Sequence, residues 1–408
     1  MRRAAIASVL TGLTLALGGT LPATAIEPGD EFYVPKPNHG AIKQIAQLRA
    51  QGQAQDAELI RRMIEVPQAV WLEQGSPREV GQQVKHVVRH ARAKDTLPVL
   101  VAYNIPFRDC AQYSAGGATS VAEYQAWIDG VAAGIGKAEA AIILEPDGLG
   151  IIPWYTNLSG QLEWCQPAEA DPATAAADRF AMLNYAVDVL TALPNTEVYL
   201  DGTHSAWLGV GDIADRLIKA GVTRADGFFL NVSNYQTTER QLKYGTWISQ
   251  CIDLVLNADY QPAWCASQYY PANPADFSTW VLTDHAYATA YAQAGLTPNP
   301  DRIAHFVVDT SRNGQGPWTP PPGVYPDPQD WCNPPGRGLG LRPTTDTGNP
   351  LADAFLWIKT PGESDGQCSR GLTNTGGVDP EWGIVDPPAG VWFPQQALQL
   401  AQLANPPL

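Results

Sequence analysis

The chain has 408 residues, 45% of them hydrophobic, and a formal net charge of −15. That much apolar material builds a large core, and a length above the domain average still suits one large α/β barrel. The acidic balance argues against nucleic acid or anionic membranes as partners, since both are held by basic patches.

Residues 1–25, "MRRAAIASVLTGLTLALGGTLPATA", have the form of a secretory signal peptide. Arg2 and Arg3 open it, an apolar stretch follows, and Ala23-Thr24-Ala25 is an A-x-A cleavage signal. No later run is long and apolar enough to span a bilayer. The remainder, residues 26–408, is therefore expected to be secreted and soluble, and is taken to act as a monomer. No internal repeat and no Ser/Thr/Pro-rich linker divides it, so it reads as one domain.

Residues 41–66 are helix-like, as are residues 180–193, "FAMLNYAVDVLTAL". Seven short apolar runs have the length of buried strands: residues 68–73, 97–105, 140–146, 197–202, 227–234, 303–311 and 354–362. Helix-like stretches between many of them imply a parallel sheet covered by helices, and seven apolar strands imply a barrel. No GxGxxG follows the first run, which disfavours a dinucleotide-binding fold. The Pro-rich stretch 316–331 is too aromatic for a flexible linker and reads as an ordered loop.

Nearly every run ends in polar or aromatic residues: Trp71, Asp109, Asp147, Asp201, Asn231 and Asn234, Arg312, then Glu363 and Asp365. The C-terminal strand ends of an α/β barrel share one face, where active sites lie. Residues remote in sequence should therefore converge there. Six cysteines in an exported chain point to disulfides, with 15 possible connectivities. No CxxC, HExxH or other metal spacing occurs, so chemistry without metal or cofactor is expected.

Several motifs together resemble glycoside hydrolase family 6, a family of cellulases. They are "VAYNIPFRDCAQYSAGG" (101–117), "ILEPDGL" (143–149), "YLDGTHSAWLG" (199–209), "LNVSNY" (230–235), "VVDTSRNGQGP" (307–317), "WCNPPGRGLG" (331–340) and "WIKTPGESDG" (357–366). The resemblance implies a distorted seven-stranded parallel α/β barrel and hydrolysis of β-1,4-glucosidic bonds with inversion. Such cleavage needs a proton for the leaving oxygen and a water on the opposite face, and two carboxyl groups about 6.5–9.5 Å apart usually share the work.

By resemblance, Asp147 is the general acid, although a helix cap would also suit it. Asp109 raises the acid's pKa and, with Ser114, holds the water; a salt bridge to Arg108 is the structural alternative. Tyr103 stands near the reacting sugar, and Asp365 is the candidate base. Lys359, Glu363, Asp201, His204, Asn231 and Asn234 are expected to meet sugar hydroxyls, and Trp71, Trp207 and Trp331 to stack on glucose rings. The implied disulfides are Cys110–Cys165 and Cys332–Cys368, leaving Cys251 to pair with Cys265.

The "EPDGLG" and "RDCAQYSAGGA" motifs look like bacterial endoglucanases. Val210 stands where many cellobiohydrolases of the family carry a distant tryptophan. Against that, the segment 236–296 and the Pro-rich loop are long enough to roof the cleft. An endo-acting glucanase is the favoured reading, with a cellobiohydrolase as the alternative and a non-catalytic glucan binder as a more remote one. A serine esterase lacks its GxSxG motif.

Overall fold

The computed structural model describes residues 26–408. The expected leader, residues 1–25, lies outside the described residues. All seven apolar runs form strands: β1 (Val70–Leu72), β2 (Val99–Ala102), β3 (Ala140–Leu144), β4 (Thr196–Asp201), β5 (Gly227–Leu230), β6 (His305–Asp309) and β7 (Ala352–Leu356). They pair in chain order, every pair parallel.

The sheet curls without closing. No ladder joins β1 to β7 among the described residues; a backbone bond from Ala69 N to Trp357 O (2.9 Å) and one from the Trp71 indole to Ile358 O (2.8 Å) span the seam. Barrel closure needs a consistent stagger around the whole ring. Here two hydrogen bonds, one of them from the Trp71 side chain, stand where a β1–β7 ladder would close the ring.

Alternate strand residues divide between two cores, as the two-residue period of a strand requires. Val99, Val101, Ile143, Tyr199, Phe229, Val307 and Leu356 fill the inside of the curl. Leu100, Ile142, Leu144, Val198, Phe228 and Phe306 face the helices. These include α3 (Pro77–Arg92), α4 (Val121–Ile135), α5 (Ala175–Thr191), α6 (Val210–Lys219), α7 (Thr238–Asn257) and α8 (Val281–Ala294). Burial on both sides explains why the strands read as continuous apolar runs.

The helix-like run 41–66 is two helices, α1 (His39–Ala50) and α2 (Ala54–Ile64). Gly52 between them has φ +77°, a left-handed turn that ends the first helix and that a residue with a Cβ adopts only under strain. With the C-terminal α9 (Pro394–Gln402) they form a third core that includes Trp357 and Trp392, beside the seam.

Candidate active site

The strands deliver their C-terminal ends to one cavity of about 550 Å³. Nearly all the expected residues line it: Asp109, Asp147 and Asp365; Tyr103 and Ser114; Trp71, Trp207 and Trp331; His204, Asn234, Lys359 and Glu363. Asp201 and Asn231 are the exceptions. Both are buried beneath the cleft floor.

Three carboxylates explain that floor. Where parallel strands end, the following backbone N–H groups lose their ladder partners and must bond elsewhere. Glu145, after β3, accepts from Asn104 N (3.0 Å) and Ile105 N (3.0 Å) beyond β2. Asp201, ending β4, accepts from Leu149 N (3.1 Å) and Gly150 N (3.0 Å) beyond β3, and from Thr203 N (2.8 Å). Asp309, ending β6, accepts from Ser233 N (3.3 Å) beyond β5 and Lys359 N (2.9 Å) beyond β7. Asn231 joins the same layer, donating to Gln236 O (3.1 Å) and Asp309 O (3.0 Å). Asp201 and Asn231 thus stitch strand ends beneath the cavity.

The stitched backbone is unusual. Glu145, Asp147, Asp109, Thr203, Asn231 and Ser233 all have φ between 54° and 69°. Non-glycine residues hold such angles only where surrounding bonds dictate them, and they gather at functional sites. No helix begins until Ala175, so Asp147 is not a helix cap. It faces the cavity instead.

Burial, then the charges of Asp201, Asp109 and Asp365, raise Asp147 well above the usual carboxylate range. Asp109 is pushed to about 6 by burial, restrained by the Ser114 N–H (2.7 Å) and by the Arg108 charge. Arg108 makes no salt bridge with Asp109. It donates to Tyr103 O (2.5 Å) and Ser114 O (2.9 Å), with its guanidinium 4.5 Å from the Tyr103 ring centroid. It therefore pins the Asp109–Ser114 loop to the floor.

Asp365 is the opposite case. Burial would raise it, but Arg312 and Lys359 outweigh that and hold it below the usual range. Its Oδ2 accepts from Arg312 Nη1 (2.9 Å), Asn333 N (3.0 Å) and Tyr235 Oη (3.1 Å), while Lys359 Nζ stands 3.6 Å from Oδ1. Opposed protonation tendencies among neighbouring carboxyls are how one site holds both a proton donor and a fixed anion. His204 is kept neutral, pushed down to about 3 by burial.

The aromatics are seated, not loose. The Trp207 indole lies on Gly150, where a Cβ would come within 2.4 Å of Cη2. Trp71 meets Tyr103 edge-on at 5.4 Å, and Trp331 lies 5.8 Å from Tyr113. The three disulfides are Cys110–Cys165, Cys251–Cys265 and Cys332–Cys368, and no cysteine is free among the described residues. Cys368, Asp379 and Asp386 come close enough to suggest metal ligands. However, the Cys368 sulfur is in a disulfide and Asp379 is paired with Arg370 at 2.7 Å, so these donors are already committed.

Sequence reasoning missed Tyr235, Asn333 and Trp164, and gave Arg108 only as a salt-bridge partner of Asp109. Trp164 lines the cavity, 56% exposed, and its one signal was the neighbouring Cys165, bridged to the Asp109–Cys110 turn.

A carboxyl pushed toward its protonated form, a carboxylate locked by an arginine and cavity-lining tryptophans, at the open end of a curled parallel sheet, point to a glycoside hydrolase. The chain belongs to glycosyl hydrolases family 6, which it matches over residues 27–404. It is 34% identical over 375 residues to endoglucanase 1 of Streptomyces halstedii, covering 91% of this chain and 93% of that one. It is 32% identical over 372 residues to a probable 1,4-β-D-glucan cellobiohydrolase C of Neosartorya fischeri, covering 84% and 70%. Among solved structures, the endoglucanase Cel6 of Mycobacterium tuberculosis, in complex with methyl-cellobiosyl-4-deoxy-4-thio-β-D-cellobioside, superposes with a TM-score of 0.66. That pair is 34% identical, and the match covers 94% of this chain and 100% of the other.

Proposed function

We propose that the protein is a secreted endo-β-1,4-glucanase that hydrolyses cellulose and related β-glucans with inversion. The observation that carries the reading is Asp147: a half-buried, cavity-facing carboxyl whose protonated form is favoured by desolvation and by three neighbouring acids. It donates its proton to the glycosidic oxygen as the bond to the anomeric carbon breaks. A water held by Asp109 and the Ser114 loop attacks that carbon from the opposite face and loses its proton to Asp109 directly or through a second water. Asp365, expected as the base, is held below the usual carboxylate range by Arg312 and Lys359 and is a poor proton acceptor, so in this reading it favours the positive charge that develops on the sugar ring.

The endo mode is supported by where the long segment goes. No residue between 237 and 316 lines the cavity. Residues 258–276 instead pack on the flank, with Pro262–Trp264 against α6. The length of this segment would permit a roof, but its middle is held instead against α6 and against its own helices α7 and α8. The Pro-rich loop reaches the cavity only at its ends, through Pro317, Asp330 and Trp331. The cellobiohydrolase relative keeps chain-end attack as a second reading.

Asp147→Asn is expected to fold normally and to lose ~10²–10⁴-fold in activity on swollen cellulose, the usual contribution of a general acid. Near wild-type hydrolysis by that variant would sink the assignment. On carboxymethyl cellulose, viscosity should fall quickly while few reducing ends appear; steady cellobiose release without loss of viscosity would favour the second reading.

A further inference from the structure

The aromatic lining does not stop at Trp207. The carbonyl of Trp207 accepts a hydrogen bond from Tyr269 Oη at 3.0 Å. The Tyr269 ring lies beside Gly209, with Cδ2 3.9 Å from the position of a Cβ there. Tyr269 is 43% exposed and its neighbour Tyr270 is 80% exposed. A single exposed aromatic is ordinary. Two in succession, one of them bonded to a cleft platform, on a backbone braced from below, are not explained by packing.

The bracing is extensive. Cys265 is bridged to Cys251 of α7. Ser267 N donates to Tyr270 O (2.7 Å), Thr283 Oγ1 to Ser267 O (2.8 Å) and Tyr287 Oη to Ala266 O (2.9 Å). The buried Gln268 donates to Leu208 O (2.9 Å), tying the turn to the backbone that follows Trp207. Side chains of α7 and α8 thus hold the turn while the two rings are left at the surface. A surface fixed in advance loses little freedom on binding.

We infer that Tyr269 and Tyr270 form an outer sugar-stacking platform that takes the β-glucan chain as it leaves the cleft past Trp207. The occupant follows from continuity: the platform is bonded to a residue that lines the cavity, and flat phenol rings suit the apolar faces of pyranoses. This inference rests on the glucanase reading of the site, and it assigns a binding role to the segment clipped by Cys251–Cys265, which contributes nothing to the cavity wall.

The test separates the two claims. In native gels containing hydroxyethyl cellulose, Asp147→Asn protein should be retarded, and the Asp147→Asn/Tyr270→Ala double variant should be retarded less. Adding Tyr269→Phe, which keeps the ring, should preserve retardation better than adding Tyr269→Ala. In the catalytically intact protein, Tyr270→Ala should lower the ratio of kcat/KM on a long soluble β-glucan to that on cellotetraose by roughly 2- to 12-fold, the factor an aromatic contact typically supplies. Unchanged retardation and an unchanged ratio would overturn the platform while leaving the glucanase reading intact. A change of oligomeric state in Tyr270→Ala without a change in retardation would also overturn it, assigning the patch to self-association. A wild-type protein that cleaves no glucan would defeat the functional reading alone, since the gel comparison would still decide the platform.

Discussion

Replacing Arg312 with Met tests whether Asp365 is a fixed anion. Arg312 is fully buried, donates to Asp365 Oδ2 at 2.9 Å and to Ser233 O at 2.6 Å, and stacks 4.5 Å from the Tyr235 ring centroid. Methionine fills part of the volume but removes the charge. Asp365 is then left buried, with Lys359 Nζ at 3.6 Å as its remaining cation. Removing one partner of a buried pair costs about 3–5 kcal/mol, because the other charge stays desolvated.

The cost depends on pH in a defined sense. In the native protein Asp365 is held below its ordinary value of 3.8, so its contribution is present above that pH and is lost on acidification through the lower folded value. In Arg312→Met burial dominates and the folded value rises, so that variant loses stability as pH increases past about 4. The gap between the two proteins should therefore be narrow near pH 4 and wide near pH 7. Urea denaturation at both pH values measures it, and adding Asp365→Asn to Arg312→Met should recover part of the loss. A difference below about 1 kcal/mol at pH 7, or one that does not change with pH, would refute the reasoning.

Thermal stability as a whole should fall between pH 5 and pH 8. Burial holds Asp109 and Asp201 up at about 6, and Glu145, Glu197 and Asp386 at about 7, so the folded chain keeps protons that the unfolded chain has released. The Asp353 hydrogen bond lifts His305 to about 8, and that contribution too is lost as pH rises through its folded value; a melting temperature that climbs over this range would contradict the account. Gly150→Ala should drive the Trp207 indole off its seat, raising KM with little change in overall fold, as an overpacking cost of about 1–3 kcal/mol would do; unchanged kinetics on cello-oligosaccharides would show that Trp207 is free to move. Replacing Cys251 and Cys265 together with serine opens a loop with a sequence separation of 14 and should lower stability by about 3 kcal/mol in guanidinium titration. The same denaturation midpoint with and without the bridge would show that packing alone holds the segment.

The seven strands were legible in the sequence because burial on both faces forces an unbroken apolar run, and each run has a polar end because the chain must leave the core there. The position of Asp147 was legible for the same reason: it follows the end of β3 by three residues, within one of the quoted motifs. The sequence could not say which acidic strand ends meet the substrate. Asp109, Asp147 and Asp365 face the cavity, whereas Glu145, Asp201 and Asp309 turn under it and bond the backbone of neighbouring strands. Both sets look alike along the chain, since a carboxyl after a strand is what either task requires. Their sorting depends on left-handed turns and on N–H groups left unpaired by strands distant in sequence. The path of the long disulfide-clipped segment was decided in the same way. Its length permitted a roof, but contacts with α6, remote in sequence, and the bonds to α7 and α8 hold it on the flank, and these exist only once the helices are packed together.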